Sequence, residues 1–561
     1  MLKLSSEKSL ARFISFGAAF TSVFVLWGSV TDPVNSPKLF TLGAFAFAAG
    51  AIAFAMGFKE IWRSSRLWFL GSVVFIIFSI SAIVNSSSPL QQNIYGTYGR
   101  NTGFVTYLAL LLIATATTLL RQKSNFNLII YGLFAAGIAN VAYCLWAIAF
   151  GDFIGWNNPY GNILGTFGNP NFIGAFLGIF ITALTAYVLQ PGISWKVRGL
   201  AFITVAIGLF EIDRSNAVQG LVVSAAGFSI IGFYFIRSRF KSNLILGGYT
   251  VVVAILGFIS LMGALQKGPF TSFIYKTSVS LRGEYWQAGW NMASQSPLTG
   301  IGMDSYGDWF RRARDEQALI LPGPNTVTNA AHNIPFDLLA YGGWPLFIVY
   351  IFLIALAAIA ILKVTFRSRS YNGTFVALSV AWICYQIQSI ISISQIGLAV
   401  WGWVLSGAVI ALEISTRGSD APEKKAASAR PKEQIFSATA IGSLGLVLGA
   451  IIAVPPLSAD MRWKSAITQA DLVQIELALE PSYLSPTDTN RLLNMVSIAE
   501  NSQFPDLAYK YIKKAVEFNP DNFDTWRLLY SLKNSTPEDR KLAKENMIRL
   551  DPLNEEWTKL P

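Results

Sequence analysis

Thirteen apolar stretches, each long enough to cross a lipid bilayer, constrain the fold of this 561-residue chain more than any other feature. They are centred near residues 21, 48, 76, 111, 138, 181, 204, 227, 254, 353, 382, 405 and 446. A bilayer core needs about 20 apolar residues per helical span. The composition agrees, because 53% of the residues are hydrophobic and only 13% are charged. The sequence therefore predicts an all-α, polytopic membrane protein with about 12 to 13 transmembrane helices.

Lysine and arginine residues are concentrated in alternate connections between these stretches. The basic connections are residues 59–66, 121–123, 196–198, 237–241, 363–369 and 417–432. The positive-inside rule places such connections, and the N-terminus with Lys3, Lys8 and Arg12, in the cytoplasm. The first stretch lacks a small-residue cleavage site, so we interpret it as a retained helix. The net charge of +11 then reflects topology, and it gives no support to nucleic-acid binding.

The outer face, in this orientation, carries residues 85–101, residues 151–171, the turn around Arg214 and a long loop at residues 266–333. A loop of that length usually carries function or folds as a small unit outside the membrane. We therefore expect a membrane domain at residues 1–416 that contains this extracytoplasmic loop. A cytoplasmic linker should follow at residues 417–434 and a last transmembrane helix at residues 435–457.

The end of the chain, residues 458–561, is polar and helix-patterned, which predicts a helical domain on the outer face. The phrases "LALEP", "EFNPDN" and "IRLDPLN" recur there, and Trp526 and Trp557 follow the last two. This segment is similar to degenerate tetratricopeptide repeats, which pair helices at a period of about 34 residues. Such a stack usually binds a protein partner or braces a neighbouring domain. An ordinary small helical domain is the alternative.

Metal and disulfide chemistry have few candidate residues in this chain. Cys144 and Cys384 both lie within predicted spans, so neither a disulfide framework nor a zinc cluster is available. The only histidine, His332, cannot form a multi-histidine site by itself.

His332 is nevertheless the most informative single residue. It lies in "TNAAHNIPFDLL", a polar segment directly before an apolar stretch, where water and substrate can both reach it. An imidazole with an ordinary pKa near 6.5 can accept or supply a proton near neutral pH. A structural histidine is the alternative, and we favour a functional one.

Two arginines on the outer face are further candidates. Arg214 lies in the short turn "EIDRSNAVQG" between two predicted spans, where guanidinium is costly unless it is paired or used. A salt bridge to Glu211 or Asp213 would be the structural explanation. Arg282 opens a helical pattern that the proline and glycines of "SPLTGIG" should end.

An ordered set of phrases now resembles a known family. "GNPNFIGAFL" begins at Gly168, "DRSNAVQG" begins at Asp213, "PLTGIG" follows Arg282, and "AHNIPFDLLAYGGWPLF" begins at Ala331. In order and spacing, these resemble the O-antigen ligase and polymerase superfamily of bacterial inner-membrane glycosyltransferases. The resemblance covers roughly residues 11 to 414.

The resemblance implies a function and a set of site residues. Family members transfer a glycan from an undecaprenyl-diphosphate carrier, on the periplasmic side, to a lipid A core sugar, another lipid-linked glycan or a protein hydroxyl. Their functional positions match Arg214 and Arg282, which would bind diphosphate, and His332, which would act on the acceptor as a general base or electrostatically. Further candidates for substrate binding are Arg100, Asn169, Asn171 and Asn333. Asn169 and Asn171 fit a capped helix start equally well.

Three alternatives stay open at this point. Glu211 and Asp213 have the look of a metal-binding pair, but diphosphate neutralised by arginine needs no metal, so we expect neither metal nor cofactor. The acceptor is undecided, and a ligase leads narrowly over a polymerase or a protein O-oligosaccharyltransferase. A transporter of polysaccharide or of its lipid-linked precursor is more distant, because no repeat relates the two halves of the chain.

Overall fold

The computed structural model describes residues 5–155, 158–264, 267–268, 271, 281–417 and 432–561. These residues form 22 α-helices and two short 3₁₀-helices, and the described part of the chain contains no strand. The all-α prediction is therefore confirmed.

The helices fall into three groups along the chain. The first ten are α1 (Ser5–Val23), α2 (Asn35–Ala55), α3 (Phe58–Val84), α4 (Leu90–Tyr95), α5 (Phe104–Thr117), α6 (Lys123–Phe150), α7 (Pro170–Val188), α8 (Trp195–Arg214), α9 (Val218–Arg239) and α10 (Asn243–Ala264). The long outer loop contains α11 (Arg282–Gln295), α12 (Tyr306–Ala313) and α13 (Glu316–Ile320). The rest are α14 (Ile334–Arg367), α15 (Gly373–Ile390), α16 (Ile396–Thr416), α17 (Lys432–Gln469), α18 (Leu472–Ala478), α19 (Thr489–Asn501), α20 (Pro505–Phe518), α21 (Phe523–Ser531) and α22 (Pro537–Leu550).

Among the described residues, ten helices are long and apolar enough to cross a membrane. They are α2, α3, α6, α7, α9, α10, α14, α15, α16 and α17. The prediction of a multi-pass membrane protein is confirmed. The three other predicted spans correspond to α1, α8 and the 14-residue apolar helix α5.

The first helix ends earlier than the sequence suggested. The apolar stretch is centred near residue 21, but α1 ends at Val23. Its last carbonyl groups are bound by a buried side chain, because Lys38 Nζ donates to the carbonyls of Thr21 (3.1 Å), Ser22 (2.6 Å) and Phe24 (3.0 Å). A lysine that binds these carbonyl groups stabilises a helix end, so the apolar residues after it are not helical.

The helical bundle has two distinct ends. Connections that the sequence analysis assigned to the outer face contact one another at one end, and the basic connections contact one another at the other. At the first end, Tyr98 and the turn at Thr31 both bind Asp460 of α17, at 2.9 and 3.0 Å. At the opposite end, Arg121 donates a backbone bond to Glu7 (2.6 Å) and Arg369 donates to Asn243 (2.6 Å). We call the first the tail end, because the C-terminal helices lie there.

The last transmembrane helix continues into the C-terminal domain without a break. The prediction ended this span at residue 457, where the apolar pattern stops after Pro455 and Pro456, but α17 runs on to Gln469. Its final turns stay helical because Trp463 and Ala466 are buried in the core of the C-terminal helices. Residues 418–431 of the predicted linker lie outside the described residues.

Helices α18 to α22 form a second hydrophobic core, separate from that of the membrane helices. This domain rests on the long outer loop through buried charges. The Asp551 carboxylate accepts from Arg311 (3.1 Å) and Arg314 (2.6 Å) of the loop, with every side chain at most 8% exposed. Arg312 pairs in the same way with Asp521 at 3.1 Å. The recurring "NPDN" and "DPLN" phrases are thus the turns that dock on the loop.

Candidate functional site

His332 lies in a tight turn at the tail end, directly before α14. Its φ angle is +55°, in the left-handed region that costs a non-glycine residue roughly 1–2 kcal/mol. Two bonds hold the turn on either side: Asp337 Oδ1 accepts from the Ala331 backbone N–H at 2.7 Å, and Asn333 caps α14 by accepting from Phe336 N–H at 3.2 Å. The backbone on both sides of His332 is therefore fixed by its neighbours in sequence.

Helix α11 brings two more side chains to this turn. Arg282 and Tyr285 are one helical turn apart on α11, and the Tyr285 ring lies 5.6 Å from the imidazole of His332, tilted by 32°. The Tyr285 carbonyl accepts from the Tyr306 hydroxyl, and Trp286 stacks on Phe336 at 5.9 Å. These contacts fix α11 beside the first turn of α14. The helical pattern that opens at Arg282 in the sequence corresponds to α11.

The electrostatics of the site are dominated by arginine. Burial, and then the positive charges of Arg282 and Arg100, lower the pKa of His332 to about 4. The imidazole is therefore neutral at pH 7, with both ring nitrogens available for hydrogen bonds. Burial lowers the pKa of Arg282, and this residue forms no ion pair with any described residue. The site thus holds a cation whose counter-charge the described part of the chain does not supply.

Arg100 is a buried member of the same cluster. It is 5% exposed, its Nη1 donates to the backbone and side-chain oxygens of Asn329, and its Nε lies 3.7 Å from Asp304 Oδ1. The Asp304 carboxylate also accepts from Thr97 N–H at 2.9 Å and from the Tyr341 hydroxyl at 3.2 Å. Arg100 therefore ties the loop before α5 to the segment that leads into His332 through Nη1, while its buried Nε and Nη2 have no hydrogen-bond partner among the described residues.

The "PLTGIG" segment packs against a break in α14 at the "YGG" phrase, residues 341–343. Gly342 and Gly343 leave helical geometry, with φ of +64° at Gly343. The "PLTGIG" segment binds the backbone groups that the break frees: Ile301 N–H donates to Ala340 O at 3.0 Å and Trp344 N–H to Pro297 O at 2.9 Å. A Cβ atom on Gly343 would lie 2.4 Å from Pro297 O, so only glycine fits.

Arg214 is exposed and lies at the end of α8, and its charge is not among those that shift the pKa of His332. It forms no hydrogen bond or ion pair with a described residue, so the salt bridge to Glu211 or Asp213 is absent there. The structure also separates the two acidic residues, because Glu211 is fully buried and Asp213 is exposed. Within the described ranges, no three His, Cys, Asp or Glu side chains come together as metal ligands.

The asparagines at the start of α7 have a local role. Asn169 begins the helix, and its side chain accepts from Asn171 N–H at 2.9 Å. Asn171 itself is exposed. A capped helix start is therefore present, and substrate binding by either asparagine stays a prediction.

The prediction of site residues from sequence did not include Asp304, Asn329 and Asp337, which the structure places in the site. A signal existed for Asp337, because a carboxylate in the first turn of an apolar span is costly and usually functional. Asp304 and Asn329 had no such signal, since their importance depends on contact with Arg100, more than 200 residues away.

Comparison with known proteins agrees with the resemblance. Residues 200–351 match the family model described as O-antigen ligase. The match spans Arg214, Arg282 and His332 and includes the broken helix α14 up to Ile351. It supports a membrane protein of the O-antigen ligase superfamily. No curated protein matches the chain.

Proposed function

We propose that this protein is a membrane glycosyltransferase of the O-antigen ligase type. It transfers a glycan from an undecaprenyl-diphosphate carrier to an acceptor hydroxyl at the tail end, which would face the periplasm of a bacterial cytoplasmic membrane. The observation that carries the proposal is that Arg282 lies close enough to His332 to shift its pKa. Arg282 is half-buried and has no acidic partner among the described residues. The family match over residues 200–351 supports the same reaction class.

Arg282 would bind the diphosphate of the carrier. A guanidinium presents a planar fork of donors that matches two phosphate oxygens at once, and a diphosphate would supply the counter-charge that Arg282 lacks. Negative charge grows on the diphosphate as the glycosyl bond breaks, and a fixed cation stabilises that change. Exposed Arg214 would hold a more distant part of the same lipid-linked donor, with Asn169 and Asn171 near the glycan.

His332 would act on the acceptor once the donor is bound. A base with a pKa of about 4 is inefficient at pH 7, because general bases work best near the operating pH. Burial contributes most to this low pKa, and the charges of Arg282 and Arg100 add to it. An anion bound to Arg282 would offset part of that charge and raise the pKa of His332. The donor would thereby activate the base, and donor binding would precede transfer.

The reaction is then a single displacement. The acceptor oxygen attacks the anomeric carbon, the bond from that carbon to the diphosphate oxygen breaks, and the diphosphate leaves with the electron pair. The acceptor proton passes to His332, and the anomeric configuration inverts. Asn333, Asp337 and Arg100 are positioning residues in this scheme, since they hold the turn around His332.

The test is to identify the product. The purified protein is incubated with lipid-linked glycan and three acceptors, a lipid A core, a second lipid-linked glycan and a protein, and mass spectrometry shows which one carries the sugar. We expect release of undecaprenyl diphosphate and a glycosylated acceptor, unchanged by EDTA. Arg282→Gln should impair transfer, whereas Arg527→Gln, which removes an exposed charge from the C-terminal domain, should not.

Three results would count against parts of this proposal. Transport of intact lipid-linked glycan without transfer would favour a transporter. Glycan extension of the second lipid-linked glycan, in place of the lipid A core, would indicate a polymerase. Activity lost with EDTA and restored by Mg²⁺ would introduce a metal.

The orientation can be tested separately. Single cysteines at Ser87 and Asn325, exposed at the tail end, should react with an impermeant thiol reagent in intact spheroplasts, and one at Ser368 should not. The native Cys144 and Cys384 are buried and should stay unlabelled. Labelling only at Ser368 would place the site in the cytoplasm.

A further inference from the structure

The end of the bundle opposite to the tail contains a cavity that the proposed reaction does not use. It has a volume of about 530 Å³ and lies between the start of α3, the last turns of α14 and the end of α16. Helix α3 leaves helical geometry at Ser65, with φ −157° and ψ 83°, and Ser65 lines the cavity. The break turns the first part of α3 relative to the rest, beside the cavity.

The polar lining of this cavity is strongly basic. Arg63, Arg66, Lys363 and Arg417 line it, together with a single carboxylate, Glu413. Glu413 is already shared, since it accepts from Arg417 at 2.6 Å and also pairs with Arg367. In contrast, Arg63, Arg66 and Lys363 form no hydrogen bond or ion pair with a described residue. We call this cavity, with its lining cations Arg63, Arg66, Lys363 and Arg417, the basic groove.

Most of the remaining lining is apolar and partly exposed, apart from Ser64 and Ser65. Leu67 and Ile359 contribute to the walls while they are 50% and 45% exposed, and Ile414 lines the same space. The positive-inside rule explains basic residues at this end, but it does not explain a cavity that combines them with apolar walls. A ligand that fills it needs an anionic group for the cations and hydrocarbon for the walls.

We propose that the basic groove binds one anionic phospholipid of the membrane leaflet at that end. Basic pockets between transmembrane helices at the cytoplasmic side suit anionic headgroups, and arginine pairs well with phosphate oxygens. The headgroup would bind Arg63, Arg66 and Lys363, and an acyl chain would lie along Leu67 and Ile359. The lipid would thereby join α3 and α14 at the end opposite to His332.

Native mass spectrometry and thermal unfolding of delipidated protein test this proposal, with phosphatidylglycerol and phosphatidylcholine as probes. We expect one phosphatidylglycerol to be retained, with a higher unfolding temperature, and phosphatidylcholine to be bound far more weakly. A triple variant, Arg63→Gln, Arg66→Gln and Lys363→Gln, should bind phosphatidylglycerol on the order of 100-fold more weakly, at about 1 kcal/mol for each basic residue.

The matched control changes Lys123, Lys196 and Lys241 to glutamine, which removes the same charge from exposed positions at the same end. It should bind phosphatidylglycerol as the native protein does. Ile359→Trp, which fills the groove and keeps every charge, should also weaken binding, so the test survives if the triple variant does not fold. Equal losses in groove and control variants would overturn the proposal, as would equal stabilisation by glycerol phosphate, which has no acyl chain.

Discussion

Two regions of the long outer loop use arginines in opposite ways. In the docking interface, Arg311 and Arg314 share the carboxylate of Asp551, which also accepts from Trp557 at 2.9 Å. In the candidate site, Arg282 has no carboxylate partner among the described residues, although burial lowers its pKa. The two regions belong to one loop that ends at His332, and Arg282 is half-buried whereas Arg311 and Arg314 are buried.

An arginine with a carboxylate partner and one without such a partner have different roles, the first structural and the second in ligand binding. A buried arginine with a fixed carboxylate has its desolvation offset within the fold, and it holds two elements together. An arginine left without a partner keeps its hydrogen-bonding capacity for a ligand. We therefore attribute stability of the outer surface to the Asp551 interface and reactivity to Arg282 and His332. A variant of the interface should lose stability and keep donor affinity, whereas a variant of His332 should lose turnover and keep stability.

The largest expected effect is on turnover. General-base catalysis typically contributes 10²- to 10⁴-fold, so His332→Ala should lower the transfer rate by about that factor while donor affinity and the unfolding temperature stay near the native values. The measurement is a transfer assay with parallel binding of lipid-linked donor. Near-native transfer by this variant would remove His332 from the mechanism.

Removal of Asp551 should have the opposite signature. Asp551→Asn leaves Arg311 and Arg314 buried without their carboxylate, and loss of one partner in a buried ion pair costs roughly 3–5 kcal/mol. We expect a lower unfolding temperature and faster proteolysis of the C-terminal helices, with donor affinity retained in the folded fraction. Glu555→Gln, in an exposed pair with Lys559, is the control and should change neither. Similar stability of both variants would argue against a bracing role for the interface.

A smaller effect should distinguish charge from geometry at Arg282. Arg282→Lys keeps the positive charge but loses the two-point fork on phosphate. A hydrogen bond to a charged group is worth roughly 1.5–3 kcal/mol, which predicts about 10- to 150-fold weaker donor binding without loss of stability. Equal donor affinity for arginine and lysine at this position would show that only the charge is needed.

The membrane architecture could be predicted because span length and apolar composition are local properties of the sequence. Twelve of the thirteen predicted stretches lie on helices close to the predicted centres, and α1 is the displaced one. Its end depends on Lys38, whose bonds to carbonyl groups across a turn have no signature in hydropathy. The hydropathy pattern also did not predict that helix α17 continues beyond residue 457, where Trp463 stays helical by packing on residues far along the chain.

The candidate site was partly visible for a different reason. His332 and Arg282 are polar residues at the edges of apolar or helical patterns, so they could be selected from sequence, and the structure places them together. Arg214 was selected in the same way, but its charge is not among those that shift the pKa of His332. The network of Arg100, Asp304 and Asn329 depends on three outer segments meeting, and no local pattern encodes that.

The most direct test of the account uses the fact that His332 is the only histidine in the chain. Protein labelled with ¹⁵N-histidine and purified without a histidine tag gives one imidazole to titrate by NMR. We predict a pKa of about 4 in the free protein, and a rise above that value when undecaprenyl diphosphate binds or when Arg282 is changed to glutamine, because either change offsets the charge of Arg282. A pKa near the ordinary 6.5 in the free protein, unchanged by diphosphate and by Arg282→Gln, would contradict the claim that a donor bound at Arg282 activates His332.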